Sequence, residues 1–188
     1  MKIGILAVQG AFAEHEAALD ALHLPYKEIR CKRDLQQSFD GIILPGGEST
    51  VQGKLLHELQ LFAPMRQWIA NGMPILATCA GMILLAQTIE EQDTAYFATI
   101  PITVRRNAYG RQLGSFHTEC ECRGIGKIPM TFIRAPYVTQ VREGVSILST
   151  VEGHIVAVQY QKQIALSFHP ELDHDYRLHQ AFLELCRQ

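Results

Sequence analysis

Three short segments carry residue types that could do covalent chemistry. Cys79 follows the apolar run Pro74-Ile75-Leu76-Ala77-Thr78 and precedes Ala80-Gly81, where helical spacing begins. A nucleophile on a sharp strand-to-helix turn stands out at the carboxyl edge of a sheet. The helix dipole and the unpaired amides of the first turn favour its thiolate there. Small residues such as Ala80 and Gly81 suit a tight elbow, and the Ala80 amide is placed to stabilise an oxyanion. Taken alone, Cys79 also reads as a buried thiol packing as a small hydrophobe.

His169 and Glu171 close a second apolar run, Ile164-Ala165-Leu166-Ser167-Phe168. Spacing i, i+2 across Pro170 predicts both side chains on one side of an extended segment. A carboxylate beside an imidazole fixes its tautomer and stabilises the imidazolium, the orienting role in a nucleophile–base–acid triad. By itself His-Pro-Glu is a polar turn ending a strand. The third segment, Pro45-Gly46-Gly47-Glu48-Ser49-Thr50, also ends a strand and opens a helix. Its paired glycines let a ligand approach the backbone, and Gly47 offers an amide to an oxyanion. A P-loop would need Gly at Glu48 and Ser or Thr at Leu55, so that alternative fails.

The positioning elements read as an α/β fold: a doubly wound, mostly parallel sheet with helices on both faces. Strands are expected over residues 2–8, 26–30, 41–44 and 74–78, with helices over 11–22, 63–71, 81–87 and 175–186. Ser49 and Gln52 have the spacing of a capping box for a further helix, and Gly72 reads as a left-handed helix terminator. Over residues 98–168, short Val/Ile/Thr/Phe segments between glycine turns predict antiparallel strands added to the sheet or folded over it. Nothing marks a linker, so residues 1–188 read as a single domain.

Composition removes several functional classes. The chain has 188 residues, 47% hydrophobic, with 17 Lys/Arg against 19 Asp/Glu. Such a balance argues against nucleic-acid or anionic-membrane binding driven by bulk charge, and the high apolar content excludes disorder. No run reaches the roughly 18–20 apolar residues of a membrane span. Five scattered cysteines, an odd number, suit a reducing compartment and therefore the cytoplasm. The N-terminus imitates a signal peptide, but its apolar run is broken by Gln9-Gly10 and is better read as a strand and a turn.

The segments Leu44-Pro45-Gly46-Gly47-Glu48-Ser49-Thr50, Thr78-Cys79-Ala80-Gly81 and Phe168-His169-Pro170-Glu171 resemble the signatures of class I glutamine amidotransferases. Gln9-Gly10-Ala11 with Glu14-His15, Arg106-Asn107-Ala108-Tyr109-Gly110-Arg111-Gln112 and Phe132-Ile133-Arg134-Ala135-Pro136 narrow the resemblance to the glutaminase subunits of pyridoxal phosphate synthases. The likeness covers nearly the whole chain. One departure is His117, after Ser115-Phe116, where the family pattern has an acidic residue.

The resemblance implies hydrolysis of L-glutamine to glutamate and ammonia through a glutamyl thioester on Cys79, with His169 as acid and base and Glu171 orienting it. Gly47 and Ala80 are the expected oxyanion donors. Gly46, Gly47, Glu48, Arg106, Ile133 and Arg134 are expected to hold glutamine, and ammonia to pass to a synthase subunit that builds pyridoxal 5'-phosphate. No cofactor or metal is expected. His117, Cys120 and Cys122 read as ordinary strand residues rather than zinc ligands, and His174 and His179 as surface groups. Two rival readings stay open at this point: a stand-alone cysteine hydrolase or peptidase, and a non-catalytic thiol-sensing module.

Overall fold

The computed structural model describes residues 1–106 and 115–188. The motif stretch 107–112 and the adjoining residues 113 and 114 lie outside the described residues. The chain starts with β1 (Ile3–Leu6), α1 (Phe12–Ala21), β2 (Tyr26–Ile29), β3 (Gly41–Leu44), α2 (Ser49–Glu58), α3 (Phe62–Ala70), β4 (Ile75–Thr78) and α4 (Ala80–Leu85). It continues with β5 (Ala86–Ile89), β6 (Ile100–Arg105), β7 (Ser115–Cys122), β8 (Gly126–Ile133), β9 (Tyr137–Val141), β10 (Ser146–Val151), β11 (His154–Tyr160), β12 (Gln163–Leu166) and α5 (Arg177–Arg187).

Nine strands run in the order β2-β1-β3-β4-β12-β11-β9-β6-β5, and β10 pairs with β11. From β2 to β12 every pairing is parallel. The β12–β11, β11–β9 and β9–β6 pairings are antiparallel. This is the doubly wound sheet with antiparallel additions that the sequence predicts. The outermost pair, β5 with β6, is parallel, which the antiparallel expectation for that half did not include.

Strands β1, β3, β4 and β12 are fully buried four-residue runs. Their continuous apolar character follows from cover on both faces. On one face Leu6, Ile42, Leu44, Ile75 and Ala77 pack with Leu56 of α2, Met65 of α3 and Met82 of α4. On the other, Ile3, Ile5, Ile43, Leu76 and Leu166 meet Leu19 of α1, Phe182 of α5, and Met130 and Phe132 of β8. The second face is therefore covered partly by the β7–β8 hairpin, which is folded over the sheet as a separate two-stranded unit. Among the described residues no helix is long and apolar enough to cross a membrane.

Two local expectations need correction, and a third holds. Helix α4 stops at Leu85 because the chain turns into β5, whose partner β6 begins only at Ile100. Gly72 does terminate α3, at φ +92°. Ser49, however, does not cap α2: Glu48 occupies the N-cap and Ser49 is the first helical residue, its hydroxyl buried and without a partner among the described residues. Gln52 is not half of a capping box. Its amide instead donates to the carbonyls of Gln9 (2.9 Å) and Pro45 (3.2 Å), tying the loops after β1 and β3 together.

Candidate active site

The loops after β1, β3, β4 and β12 meet at the carboxyl edge of the parallel sheet. Strand order reverses between β1 and β3, and open α/β sheets bind ligands at such a switch point. A pocket of about 320 Å³ opens there, lined by Gln9, Ala11, Gly46, Gly47, Glu48, Ser49, Cys79, Ile83, Arg106, Ile133, Arg134 and His169. A larger open depression of about 580 Å³ lies at the amino end of β12, beside Phe62, Arg66 and Gln163. Its lining holds no Cys, His or carboxylate, so the chemistry belongs to the smaller pocket.

Cys79 stands on the elbow between β4 and α4 with φ +47°. A non-glycine residue in that half of the Ramachandran map costs of order 1–3 kcal/mol and must be held by its surroundings. Three backbone bonds hold it: its N–H donates to Leu166 of β12 (2.8 Å), and its carbonyl accepts from Met82 (3.1 Å) and Ile83 (3.4 Å). The thiol shares the pocket with His169, and its proximity raises the His169 pKa. Ala80, as the first residue of α4, presents an amide that has no partner within the helix.

His169 and Glu171 are joined by Nδ1–H donating to Oε1 at 2.7 Å, both side chains being buried. The segment is not extended. Residues Pro170–Leu172 form a 3-10 turn, which Pro170 at its first position favours, and the turn brings the carboxylate back under the ring. His169 is also anchored by its own N–H, which donates to Thr131 on β8 (2.8 Å). Burial alone would lower the His169 pKa. The neighbouring Cys79 and Glu171 outweigh it and push the value up to about 10. Burial likewise opposes charge on Glu171, but His15 and the bond from His169 hold its carboxyl below the ordinary range.

The glycine loop packs against this assembly. A Cβ on Gly46 would sit 2.3 Å from His169 Cε1 and 3.4 Å from Cys79 Cβ, so only glycine fits. The Gly46 N–H donates to Thr78 Oγ1 (3.0 Å), and its carbonyl accepts from Ala11 N–H (3.0 Å). In a trans peptide the Gly47 N–H then points away from Ala11. Gly10, at φ +107°, lies against the same carbonyl, where a Cβ would come within 1.9 Å of the oxygen. Gln9 Oε1 accepts from the Glu48 N–H at 2.8 Å.

At the pocket mouth Arg106 Nη2 donates to Glu48 Oε1 (3.1 Å) and Nη1 to Gln92 Oε1 (3.4 Å). Ile133 and Arg134, at the end of β8, are exposed beside them, Arg134 with φ +45°. Every site residue singled out from the sequence therefore lies at this one pocket or directly behind it.

Sequence reasoning missed what lies behind Glu171. His179 is not a surface group: it is fully buried, as is His15 of α1. His15 Nδ1 and His179 Nε2 are 3.1 Å apart, and His15 Nε2 lies 3.3 Å from Thr78 Oγ1 and 3.5 Å from Glu171 Oε2. Burial lowers the His15 pKa against the pull of Glu171, and burial with His15 pushes His179 down to about 3. His117, by contrast, is exposed and bonded to Thr131 Oγ1 (3.0 Å). Cys120 and Cys122 point to the opposite face of β7, which is incompatible with one shared metal.

Comparison with known proteins gives a consistent outcome. The pyridoxal 5'-phosphate synthase subunit PdxT of Desulfitobacterium hafniense (strain Y51) is 58% identical over 184 residues, covering 98% of this chain and 92% of the relative. PdxT of Streptococcus pneumoniae (strain ATCC 700669 / Spain 23F-1) is 54% identical over 191 residues, 100% of this chain and 99% of the relative. A crystal structure of a glutamine amidotransferase superposes with a TM-score of 0.94 at 40% identity, over 99% of both chains. A chain of PurLQS from Thermotoga maritima shares the fold alone, with a TM-score of 0.73 at 14% identity over 97% of both chains. The family match itself runs over residues 5–188, and the chain is a member of the SNO glutamine amidotransferase family.

Proposed function

We propose that this chain is the glutaminase subunit of a pyridoxal 5'-phosphate synthase, acting as one domain over residues 1–188 in the cytoplasm. The observation that carries the reading is the buried 2.7 Å His169–Glu171 bond behind a cysteine on a strained elbow. The Cys79 thiolate attacks the side-chain amide carbon of L-glutamine, and the amides of Gly47 and Ala80 receive the charge that develops on oxygen. Collapse of the tetrahedral adduct breaks the C–N bond, and the His169 imidazolium protonates the departing ammonia. Water, deprotonated by His169, then cleaves the glutamyl thioester and releases glutamate. Glu171 keeps the Nδ1–H tautomer in place and stabilises the imidazolium at each proton transfer.

The mouth of the pocket suits an amino acid's zwitterion. Glu48 offers an anion to the α-ammonium and Arg106 a cation to the α-carboxylate, while Gly46, Gly47, Ile133 and Arg134 shape the wall. Ammonia passes to the synthase subunit, the partner implied by the relatives' own description as synthase subunits. The test is ammonia and glutamate release from glutamine by the purified chain with its synthase subunit, for wild type and Cys79→Ala. Release is expected only with the thiol present. A Cys79→Ala protein that keeps most of its activity removes Cys79 as nucleophile.

A further inference from the structure

The chain of imidazoles behind Glu171 has a direction, and it can be worked out from hydrogen-bond supply and demand. Four polar atoms compete in a buried space: Glu171 Oε2 and His179 Nδ1, neither with a hydrogen-bond partner among the described residues, and the two ring nitrogens of His15. If His15 carries its proton on Nδ1, it donates to His179 Nε2, and the proton of His179 must sit on the orphaned Nδ1. That arrangement buries an unpaired N–H and turns a lone pair of His15 toward a carboxylate oxygen. A Thr78 hydroxyl proton aimed at Nε2 would satisfy the lone pair but neither of the other two faults.

Among the described residues, the opposite arrangement leaves two groups unmatched, the lone pair of His179 Nδ1 and the rotatable hydroxyl proton of Thr78. His179 Nε2–H donates to His15 Nδ1 across 3.1 Å, and His15 Nε2–H faces Thr78 Oγ1 at 3.3 Å and Glu171 Oε2 at 3.5 Å. A lone pair and a hydroxyl free to rotate are lesser faults than a ring N–H fixed without an acceptor beside an unopposed carboxylate oxygen. We infer that His15 is a positioning residue for Glu171: held in its Nε2–H tautomer by His179, it directs an N–H dipole at the outer carboxylate oxygen while His169 holds the inner one. Glu171 is thereby clamped from two sides, by α1 and α5 through His15 and by the catalytic ring itself.

A neutral donor suits this place. An imidazolium at His15 would compete with His169 for the same carboxylate and oppose the charge that His169 must carry. Burial keeps His15 on the neutral side. The same ring also faces Thr78, whose hydroxyl accepts the Gly46 amide, so the clamp reaches the glycine loop as well as the triad.

The inference rests on reading Cys79, His169 and Glu171 as the triad, and its test separates the two claims. Long-range ¹H–¹⁵N spectra of the ¹⁵N-histidine-labelled full chain at pH 7 should show His15 as the neutral Nε2–H tautomer. An Nδ1–H tautomer or an imidazolium overturns it. In the complex with the synthase subunit, His15→Leu should lower kcat for glutamine hydrolysis about tenfold with KM unchanged, equivalent to about 1.4 kcal/mol. His15→Gln, whose amide nitrogen reaches the position of Nε2, should restore most of the rate. His179→Leu should fall as far as His15→Leu, because the tautomer is then no longer set, while His179→Gln keeps the rate. A folded His15→Leu with wild-type kcat, or a His15→Gln as slow as the leucine variant, overturns the assignment. If leucine at either position prevents folding, the tautomer and the glutamine variants decide. Cys79→Ala runs alongside: activity persisting there sinks the triad, whereas an inert Cys79→Ala with an unaffected His15→Leu sinks only the positioning role.

Discussion

Gly46→Ala is the sharpest probe of the pocket, because the added methyl has one place to go. Gly46 has no positive φ, so alanine meets no backbone strain there, and any effect comes from contact. The new Cβ would lie 2.3 Å from His169 Cε1 and 2.9 Å from Nδ1, where 3.4–4 Å is ordinary contact. The ring must therefore retreat by about 1 Å or the loop must back away by as much. Neither is free to move. His169 is pinned by Glu171 at 2.7 Å and by Thr131 at 2.8 Å, and Gly46 is held on both sides by Thr78 and Ala11, each at 3.0 Å. A displacement of about 1 Å at a reacting group costs on the order of 100-fold in rate. Overpacking of this size costs roughly 1–3 kcal/mol of stability.

The assay is steady-state glutamine hydrolysis in the presence of the synthase subunit, with thermal unfolding measured on the same preparations. The expected outcome is a kcat loss of about two orders of magnitude in a protein that still unfolds cooperatively. KM should change little, since Glu48 and Arg106 lie at the mouth of the pocket and the clash is behind Cys79. A folded Gly46→Ala within a few-fold of wild-type kcat would refute the geometry. It would mean that the imidazole does not work from where it stands.

The other predictions follow from the same site. His169→Asn should approach the loss at Cys79→Ala, because both proton transfers depend on the ring, and Glu171→Gln should lose less; equal, near-wild-type rates would end the triad assignment. Arg106→Ala should raise KM for glutamine with kcat largely kept, which a glutamine titration reads directly; an unchanged KM removes Arg106 from substrate binding. Acid stability should reflect His179, pushed down to about 3 by burial and His15. The unfolded chain takes up a proton near the ordinary value of 6.5 that the folded one refuses, so stability falls as pH drops from there toward 3. Urea midpoints measured from pH 7 to pH 4 should decline less in His179→Gln, and parallel curves would contradict this. The isolated chain should hydrolyse glutamine slowly and be activated by its partner. A flip of the Gly46–Gly47 peptide would break the Ala11 bond and redirect one oxyanion donor worth about 100–1000-fold in rate. Full-speed hydrolysis by the chain alone would point to a stand-alone hydrolase.

The legible part of this molecule is the part whose reasons are local. Ile75-Leu76-Ala77-Thr78 reads as a doubly covered strand because every side chain in it is buried. Cys79-Ala80-Gly81 reads as an elbow because bulk cannot fit there. The turn at His169-Pro170-Glu171 misleads in detail: i, i+2 places two side chains together in an extended strand, and the 3-10 turn reaches the same result by another route. Strand β5 was hidden because Gln87 and Thr88 are exposed and its partner lies across a loop.

The buried histidines show where the limit falls. His15 shares a helical stripe with Ala18, Leu19 and Leu22, and His179 with Phe182, Leu183 and Cys186, the i, i+3, i+4, i+7 pattern of a core-facing side. Periodicity alone would have put both rings inside. What it cannot supply is the partner, since an imidazole is buried at low cost only when its nitrogens find donors and acceptors. Here the partner of each ring is the other, 164 residues away in the chain, and the third member is the triad's own carboxylate. A polar group on an apolar stripe is thus a question that the sequence raises and only the packing of α1 against α5 answers. In this chain the answer lies next to the carboxylate on which both proton transfers depend.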